Sequence, residues 1–104
     1  MPRKDPFAVA ATIRESKVEK SICEFAEYYG WMQFKVTSPA FNGMPDRGFV
    51  RKTGDKSEFI LAEIKQFGKK PDPLQRVRAR ELAKHGVEVH WFDNLEAAKD
   101  VFRR

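Results

Sequence analysis

Two carboxylates and a lysine, Asp46, Glu63 and Lys65, flank a segment whose composition predicts a β-hairpin. With the turn centred between Gly54 and Asp55, an antiparallel register pairs Asp46 with Glu63 and places their Cβ atoms roughly 5 Å apart on one face of the sheet. Lys65 lies two residues beyond Glu63 and therefore shares that face. A bulge of one residue would break this register.

The three side chains suggest a specific chemistry. Two carboxylates at that distance repel each other unless a cation lies between them. Mg²⁺ prefers carboxylate and carbonyl oxygens, and the backbone carbonyl of Ile64 is a further candidate ligand. A bound metal ion lowers the pKa of its water, while Lys65 can orient that water or stabilise developing negative charge. The trio therefore predicts metal-assisted phosphodiester hydrolysis, and a cross-strand salt bridge on a solvated face is the simpler alternative.

Two further polar residues are candidates for the same site, and each has a structural alternative. Glu15 lies roughly 40° from the centre of the apolar stripe of the first helix, whereas Glu19 lies roughly 80° away. An acid within that stripe needs a partner such as a metal ion, although Glu15 can equally complement the helix dipole. Gln75 is a candidate to contact the attacking water or a phosphate, or, with Asp72 as N-cap, to complete a capping box.

Positive charge is concentrated in one part of the chain. The net charge is +5, and residues 65–84, with seven basic and two acidic side chains, carry the same excess. Arg76, Arg80 and Lys84 follow a four-residue step and so lie on one helix face. This face and the preceding loop predict a surface that binds a phosphate backbone, with a solvated helix face as the alternative. The candidate DNA-binding residues are Lys69, Lys70, Arg76, Arg80 and Lys84.

The composition excludes several other classes of protein. A chain of 104 residues is one domain of ordinary size. One cysteine cannot form an intramolecular disulfide or a cysteine-rich zinc cluster, which favours a reducing compartment, the cytoplasm. No apolar run reaches the roughly 18 residues of a membrane span. The apolar run from Phe7 to Ile13 is short and gives way to Arg14 and Glu15, so no signal peptide is predicted.

Hydrophobic periodicity and turn residues predict the elements that must position these side chains. Residues 1–12 are expected to form a flexible arm, and residues 13–104 a single domain. The domain is predicted to be α/β, a mixed β-sheet with a central hairpin flanked by helices in the order α-β-β-β-α-β-α. The predicted helices cover residues 13–29, 73–85 and, capped by Asn94, 95–102, and the predicted strands cover residues 31–36, 47–52, 57–65 and 87–92.

Several of these segments together resemble a known family. The sequence Gly43-Met44-Pro45-Asp46, followed by Glu63-Ile64-Lys65 and then by Gln75 on the next helix, resembles the PD-(D/E)XK nucleases. More specifically, the chain is similar to the VRR-NUC (virus-type replication-repair nuclease) domain over nearly its whole length. The segments that carry this similarity are Phe59–Lys65, Pro73–Gln75 and Gly86–Val89, with Glu15 fifteen residues before Gly30.

The resemblance implies a restriction-endonuclease-like core and Mg²⁺- or Mn²⁺-dependent cleavage of DNA. It implies metal ligation by Asp46, Glu63 and the Ile64 carbonyl, catalysis assisted by Lys65, and supporting roles for Glu15 and Gln75. Stand-alone domains of this family, from phages and bacteria, resemble homodimeric nucleases that cut branched DNA such as four-way (Holliday) junctions in repair and recombination. Two other classes stay open: a non-catalytic nucleic-acid-binding module on a nuclease fold, and a small structural partner in a larger complex.

Overall fold

The computed structural model describes the backbone of residues 6–104 and the side chains of residues 16–104. The elements follow in the predicted order, as α1 (Pro6–Tyr28), β1 (Met32–Lys35), β2 (Arg47–Thr53), β3 (Lys56–Ile64), α2 (Pro73–Lys84), β4 (Glu88–Phe92) and α3 (Leu95–Phe102). No helix in the described part of the chain is long and apolar enough to cross a membrane.

The first helix begins earlier than predicted. α1 starts at Pro6 rather than at about Ile13, so residues 6–12 of the predicted arm are helical. Proline is well suited to the first helical position, because an N–H group there has no acceptor within the helix and its absence costs nothing. The alanines at positions 8, 10 and 11 also favour a helix. Residues 1–5 lie outside the described residues.

The strands form one four-stranded sheet in the order β1-β2-β3-β4. β1, β2 and β3 are antiparallel neighbours, and β4 runs parallel to β3, so the sheet is mixed with the β2–β3 hairpin at its centre. Arg47 pairs with Ala62, and the register continues without a bulge to Thr53 and Lys56. One step beyond Arg47 the same register sets Asp46 opposite Glu63, as predicted.

Helices cover both faces of this sheet. On one face, the buried core contains Phe49, Ile60 and Phe92 from the strands together with Phe102 of α3. The centres of the Phe102 and Phe49 rings lie 4.6 Å apart. The backbone carbonyl of Phe102 accepts a hydrogen bond of 2.8 Å from the indole N–H of Trp31. On the other face, α2 connects β3 to β4 and packs against β4. Asp46 and Glu63 lie on this second face, because residues alternate between faces along a strand.

Candidate active site

Asp46 and Glu63 meet where the hairpin joins the rest of the fold. Glu63 is the last residue but one of β3, and Asp46 immediately precedes β2. Each carboxylate has one buried oxygen, Oδ1 of Asp46 and Oε1 of Glu63, that has no hydrogen-bond partner among the described residues. Buried polar atoms without a partner are costly and rare in proteins. Two such oxygens on facing acids form a site that fits a cation.

The electrostatics of the two carboxylates support that interpretation. Burial, followed by the charge of Asp46, raises the pKa of Glu63 to about 7 from 4.5. Burial, followed by the charge of Glu19, also raises the pKa of Asp46. Both acids are therefore harder to ionise in this protein than in water, and a bound cation would reverse that effect.

Lys65 contacts the same pair. Its Nζ lies 3.5 Å from Oε2 of Glu63, and the side chains of Lys65 and Glu63 are only 20% and 12% exposed. The ion pair considered as the simpler alternative is therefore present, but it lies in a half-buried environment and not on a solvated face. Its charge lowers the pKa of Glu63 without offsetting the effect of burial.

The Ile64 carbonyl points toward Asp46. The Lys65 N–H donates to the Phe92 carbonyl in β4 at 2.8 Å. Because the two ends of a trans peptide point in opposite directions, the Ile64 carbonyl is directed to the β2 side. The Ile64 N–H points to that side too, and its hydrogen bond lowers the pKa of Asp46. The predicted third oxygen ligand is thus available on the correct side of the strand.

Gln75 contributes to the predicted capping box and also lines the cavity that contains Glu63. Its Oε1 accepts a hydrogen bond of 2.8 Å from the Asp72 N–H at the start of α2, which is one half of the capping box. Burial dominates the pKa of Glu63 and raises it, while the nearby Gln75 side chain acts in the opposite direction and lowers it. Since Oε1 is engaged with Asp72, the amide nitrogen is the group that faces Glu63. The helix cap therefore orients Gln75 toward the carboxylate pair.

The first helix contributes Glu19 near this site. Glu19 forms an ion pair with Arg47, and Arg47 also donates to Oε1 of Gln33 at 2.7 Å. The prediction singled out Glu15, one turn earlier in α1, whose side chain lies outside the described residues. Within residues 16–104, no group of three or more His, Cys, Asp or Glu side chains is arranged to hold a metal ion. After burial, the negative charge of Glu19 is the next largest cause of the raised pKa of Asp46.

Arg78, which the sequence marked only as one of several basic residues, holds the loop that carries Asp46. Its Nε donates to the Asn42 carbonyl at 2.7 Å, and its guanidinium lies 3.8 Å from the centre of the Phe41 ring. Gly43, which follows Asn42 in this loop, has a φ of +87° and packs directly on α2. The helix thereby fixes the segment leading into Asp46, a function that no local sequence pattern indicates.

Replacing Gly43 by alanine is expected to damage the site more than the fold. The new Cβ would lie 2.8 Å from Cγ of Leu74 and 2.9 Å from Cγ of Arg78, in addition to the roughly 1–2 kcal/mol cost of a left-handed conformation. Gly86→Ala is the matched control, with a φ of +82° and nothing within 4 Å of the added atom. Urea unfolding should show a larger loss of unfolding free energy for Gly43→Ala, and the metal-dependent hydrolysis predicted for this site should fall in that variant alone. Equal losses of stability and activity in the two variants would contradict the inference that the contact of Gly43 with α2 positions the loop.

The predicted DNA-binding residues form part of an exposed basic surface. Lys69 and Lys70 lie in the loop before α2, and Arg76, Arg80 and Lys84 are exposed along that helix. Arg76 also lines a cavity that contains Glu63. The basic helix face thus begins beside the carboxylate pair and extends away from it.

The chain is similar to two known proteins. No family model matches the sequence. A curated protein named "Putative nuclease p44", from Acyrthosiphon pisum secondary endosymbiont phage 1, is 36% identical over 84 residues, which are 81% of this chain and 87% of the relative. A solved structure described as "VRR_NUC domain" superposes with a TM-score of 0.74 at 24% identity, covering 85% of this chain and 92% of the other. The predicted nuclease fold is confirmed.

Proposed function

We propose that this chain, which belongs to the VRR-NUC nuclease family, is a metal-dependent DNA endonuclease. The observation that carries the proposal is the carboxylate pair of Asp46 and Glu63, in which each acid has a buried oxygen without a partner. A protein that only binds DNA gains nothing from two facing carboxylates next to phosphates, because they repel the ligand. Their arrangement is explained if a divalent cation binds between them.

Asp46, Glu63 and the Ile64 carbonyl would hold Mg²⁺ or Mn²⁺, which when bound supplies an activated water and offsets negative charge on the phosphate. Lys65 places a positive charge beside Glu63, where it can stabilise the negative charge that develops on the phosphodiester. The Gln75 amide nitrogen is directed to the same place and can donate to a phosphate oxygen or to the attacking water. Glu15, predicted as a supporting residue, remains a candidate ligand.

We assign DNA as the substrate from the distribution of charge. The exposed basic side chains of α2 and its preceding loop lie beside an acidic site. Contacts to phosphates position a nucleic acid without reading its sequence, so this surface supports recognition of DNA shape. We therefore place branched DNA, such as a four-way junction, ahead of a defined sequence as the target. We propose the cytoplasm of a bacterial or phage-infected cell as the location in which the enzyme meets such a substrate.

An exposed apolar patch supports a homodimer. Met32, Val50 and Phe59 are neighbours across β1, β2 and β3. Met32 and Phe59 are exposed, and the ring of Phe34, also exposed, lies 6.3 Å from that of Phe59. Exposed apolar patches mark interaction sites, and a twofold dimer would present two active sites for paired cuts in a junction.

The dimer is testable by sedimentation velocity. The molar mass obtained from sedimentation is expected to be about twice the chain mass of 12.1 kDa. Phe59→Glu should convert it to a monomer, because a charge in an apolar interface is strongly unfavourable. Lys56→Glu, an exposed change in the same strand outside the patch, is the control. A wild-type protein of monomeric mass would contradict the proposal.

The activity is tested by cleavage of a synthetic four-way junction and of a linear duplex of matched sequence. We expect cutting of the junction with Mg²⁺ or Mn²⁺, none with EDTA, and slower cutting of the duplex. The alternative function, a non-catalytic nucleic-acid-binding module, predicts salt-sensitive binding of both DNAs without product in any metal. Equal cleavage of the two DNAs would leave a nuclease without structural selectivity.

A further inference from the structure

A cavity of about 140 Å³ lies between α2 and β4 and opens beside Glu63. We call it the α2–β4 pocket. Its walls are mainly apolar and come from the loops on either side of the hairpin, from α2 and from β4: Pro45, Pro71, Ala79, Val89 and Trp91. Glu63, Gln75 and Arg76 also line it. The pocket thus joins an apolar space to the carboxylate site and to the first residue of the basic helix face.

Trp91 is the distinctive residue of this pocket. In the parallel register of β3 and β4, Trp91 is the direct neighbour of Glu63, so the two side chains lie side by side on one face of the sheet. The next residue, Phe92, points into the core and is 2% exposed, whereas Trp91 is 36% exposed. An exposed indole next to a candidate catalytic carboxylate is poorly explained by core packing.

We infer that the α2–β4 pocket receives one nucleobase of the DNA, from the nucleotide next to the phosphate that is cut. The inference rests on the proposed function. The space of about 140 Å³ suits one planar ring system, with the attached sugar and phosphate outside the pocket. Stacking of a base on an aromatic side chain is favourable and independent of sequence. Arg76 carries a positive charge at the same pocket, where the attached phosphate would lie.

The pocket accounts for selectivity toward branched DNA. A base must leave its stack before it can enter, and this is unfavourable in a regular duplex but less so where the base is mismatched or already unpaired. In an open junction the base pairs at the crossover lack a stacked neighbour on one side, so the bases there are the easiest to extrude. The pocket therefore recognises interrupted stacking and places the adjacent phosphate at Asp46 and Glu63.

The experiment measures binding in EDTA, so that it depends on neither metal nor cleavage. A four-way junction carries the fluorescent base 2-aminopurine next to the crossover, and a linear duplex carries the same base within a paired arm. We expect the fluorescence to change on binding only in the junction. Trp91→Ala should weaken junction binding roughly tenfold, within the range for loss of one stacked base, and abolish the fluorescence change. Binding to the duplex should be unaffected.

Two further variants keep the test decisive. Ala79→Leu fills the pocket from α2 while Trp91 stays in place, and should reproduce both effects. Tyr28→Ala removes an aromatic ring that is 82% exposed, outside the pocket, and should bind like the wild type. The inference is overturned if Trp91→Ala and Ala79→Leu bind the junction as the wild type does, or lose both DNAs equally. A wild-type protein that cuts DNA with Mg²⁺ but gives no fluorescence change would refute the pocket while leaving the proposed nuclease intact.

Discussion

The Glu63→Gln protein is expected to lose metal-dependent cleavage by a factor of about 10³ or more. The amide keeps the shape of the side chain but removes the charge that a divalent cation needs. Metal ions stabilise the transition state by several kcal/mol, and each 1.4 kcal/mol is a factor of ten in rate. Initial rates of junction cleavage with Mg²⁺ measure the loss, and calorimetric titration with Mn²⁺ should show weaker binding in the same variant.

Glu58→Gln is the matched control for that experiment. Glu58 lies in the same strand, β3, but forms an ion pair with Arg51 away from the candidate site. Its replacement should leave cleavage and Mn²⁺ binding at wild-type levels. Wild-type cleavage by Glu63→Gln, or an equal loss in the two variants, would show that the metal site has been assigned to the wrong residues.

The same Glu63→Gln substitution is expected to stabilise the metal-free protein at pH 8. The pKa of Glu63 is raised from 4.5 to about 7, so the folded state binds the proton more tightly than the unfolded state. The stability contributed by the protonated acid is therefore present below about pH 4.5 and lost as the pH rises through about 7. For a mostly buried carboxyl this corresponds to a loss on the order of 2 kcal/mol, which glutamine does not incur because it carries no charge.

Urea unfolding in EDTA at pH 4.5 and pH 8 measures this effect. Glu63→Gln should exceed the wild type in free energy of unfolding at pH 8, and the difference should shrink at pH 4.5. Mn²⁺ at pH 8 should stabilise the wild type and not the variant, because a ligand that binds only the folded state adds stability. Glu58→Gln should instead lower the free energy of unfolding at pH 8, since hydrogen bonds from Thr53 and Arg51 lower the pKa of Glu58 and so stabilise its charged form. A less stable Glu63→Gln protein at pH 8 would contradict the raised pKa.

These two expected results have one physical origin. The carboxylates are held close together and partly out of water, which destabilises the metal-free fold and prepares the site for a cation. Strain or unfavourable charge at a functional site is common, and the rest of the fold compensates for it. In this protein the compensation comes from the hydrophobic face of the sheet, where α1 and α3 cover the buried side chains of the strands.

The central part of the site was predictable because it depends on local rules. A two-residue turn determines the register of a hairpin, and the register determines which side chains face each other. The pairing of Asp46 with Glu63, the position of Lys65 and the start of α2 at Pro73 all follow from turn residues, alternation and capping. For the same reason the element order agreed with the prediction, whereas the start of α1 did not, since helix ends depend on small differences in free energy.

The remaining features depended on contacts between segments that are distant in sequence. The amino-acid sequence by itself determined the hairpin, its register and therefore the two facing acids. Only the tertiary structure decided that Glu19 lies near Asp46, that Arg78 holds the loop before it, and that Trp91 stands beside Glu63. The physical reason is that periodicity and turn chemistry act over a few residues, whereas the packing of α1, α2 and β4 around the hairpin depends on the shape of the whole core.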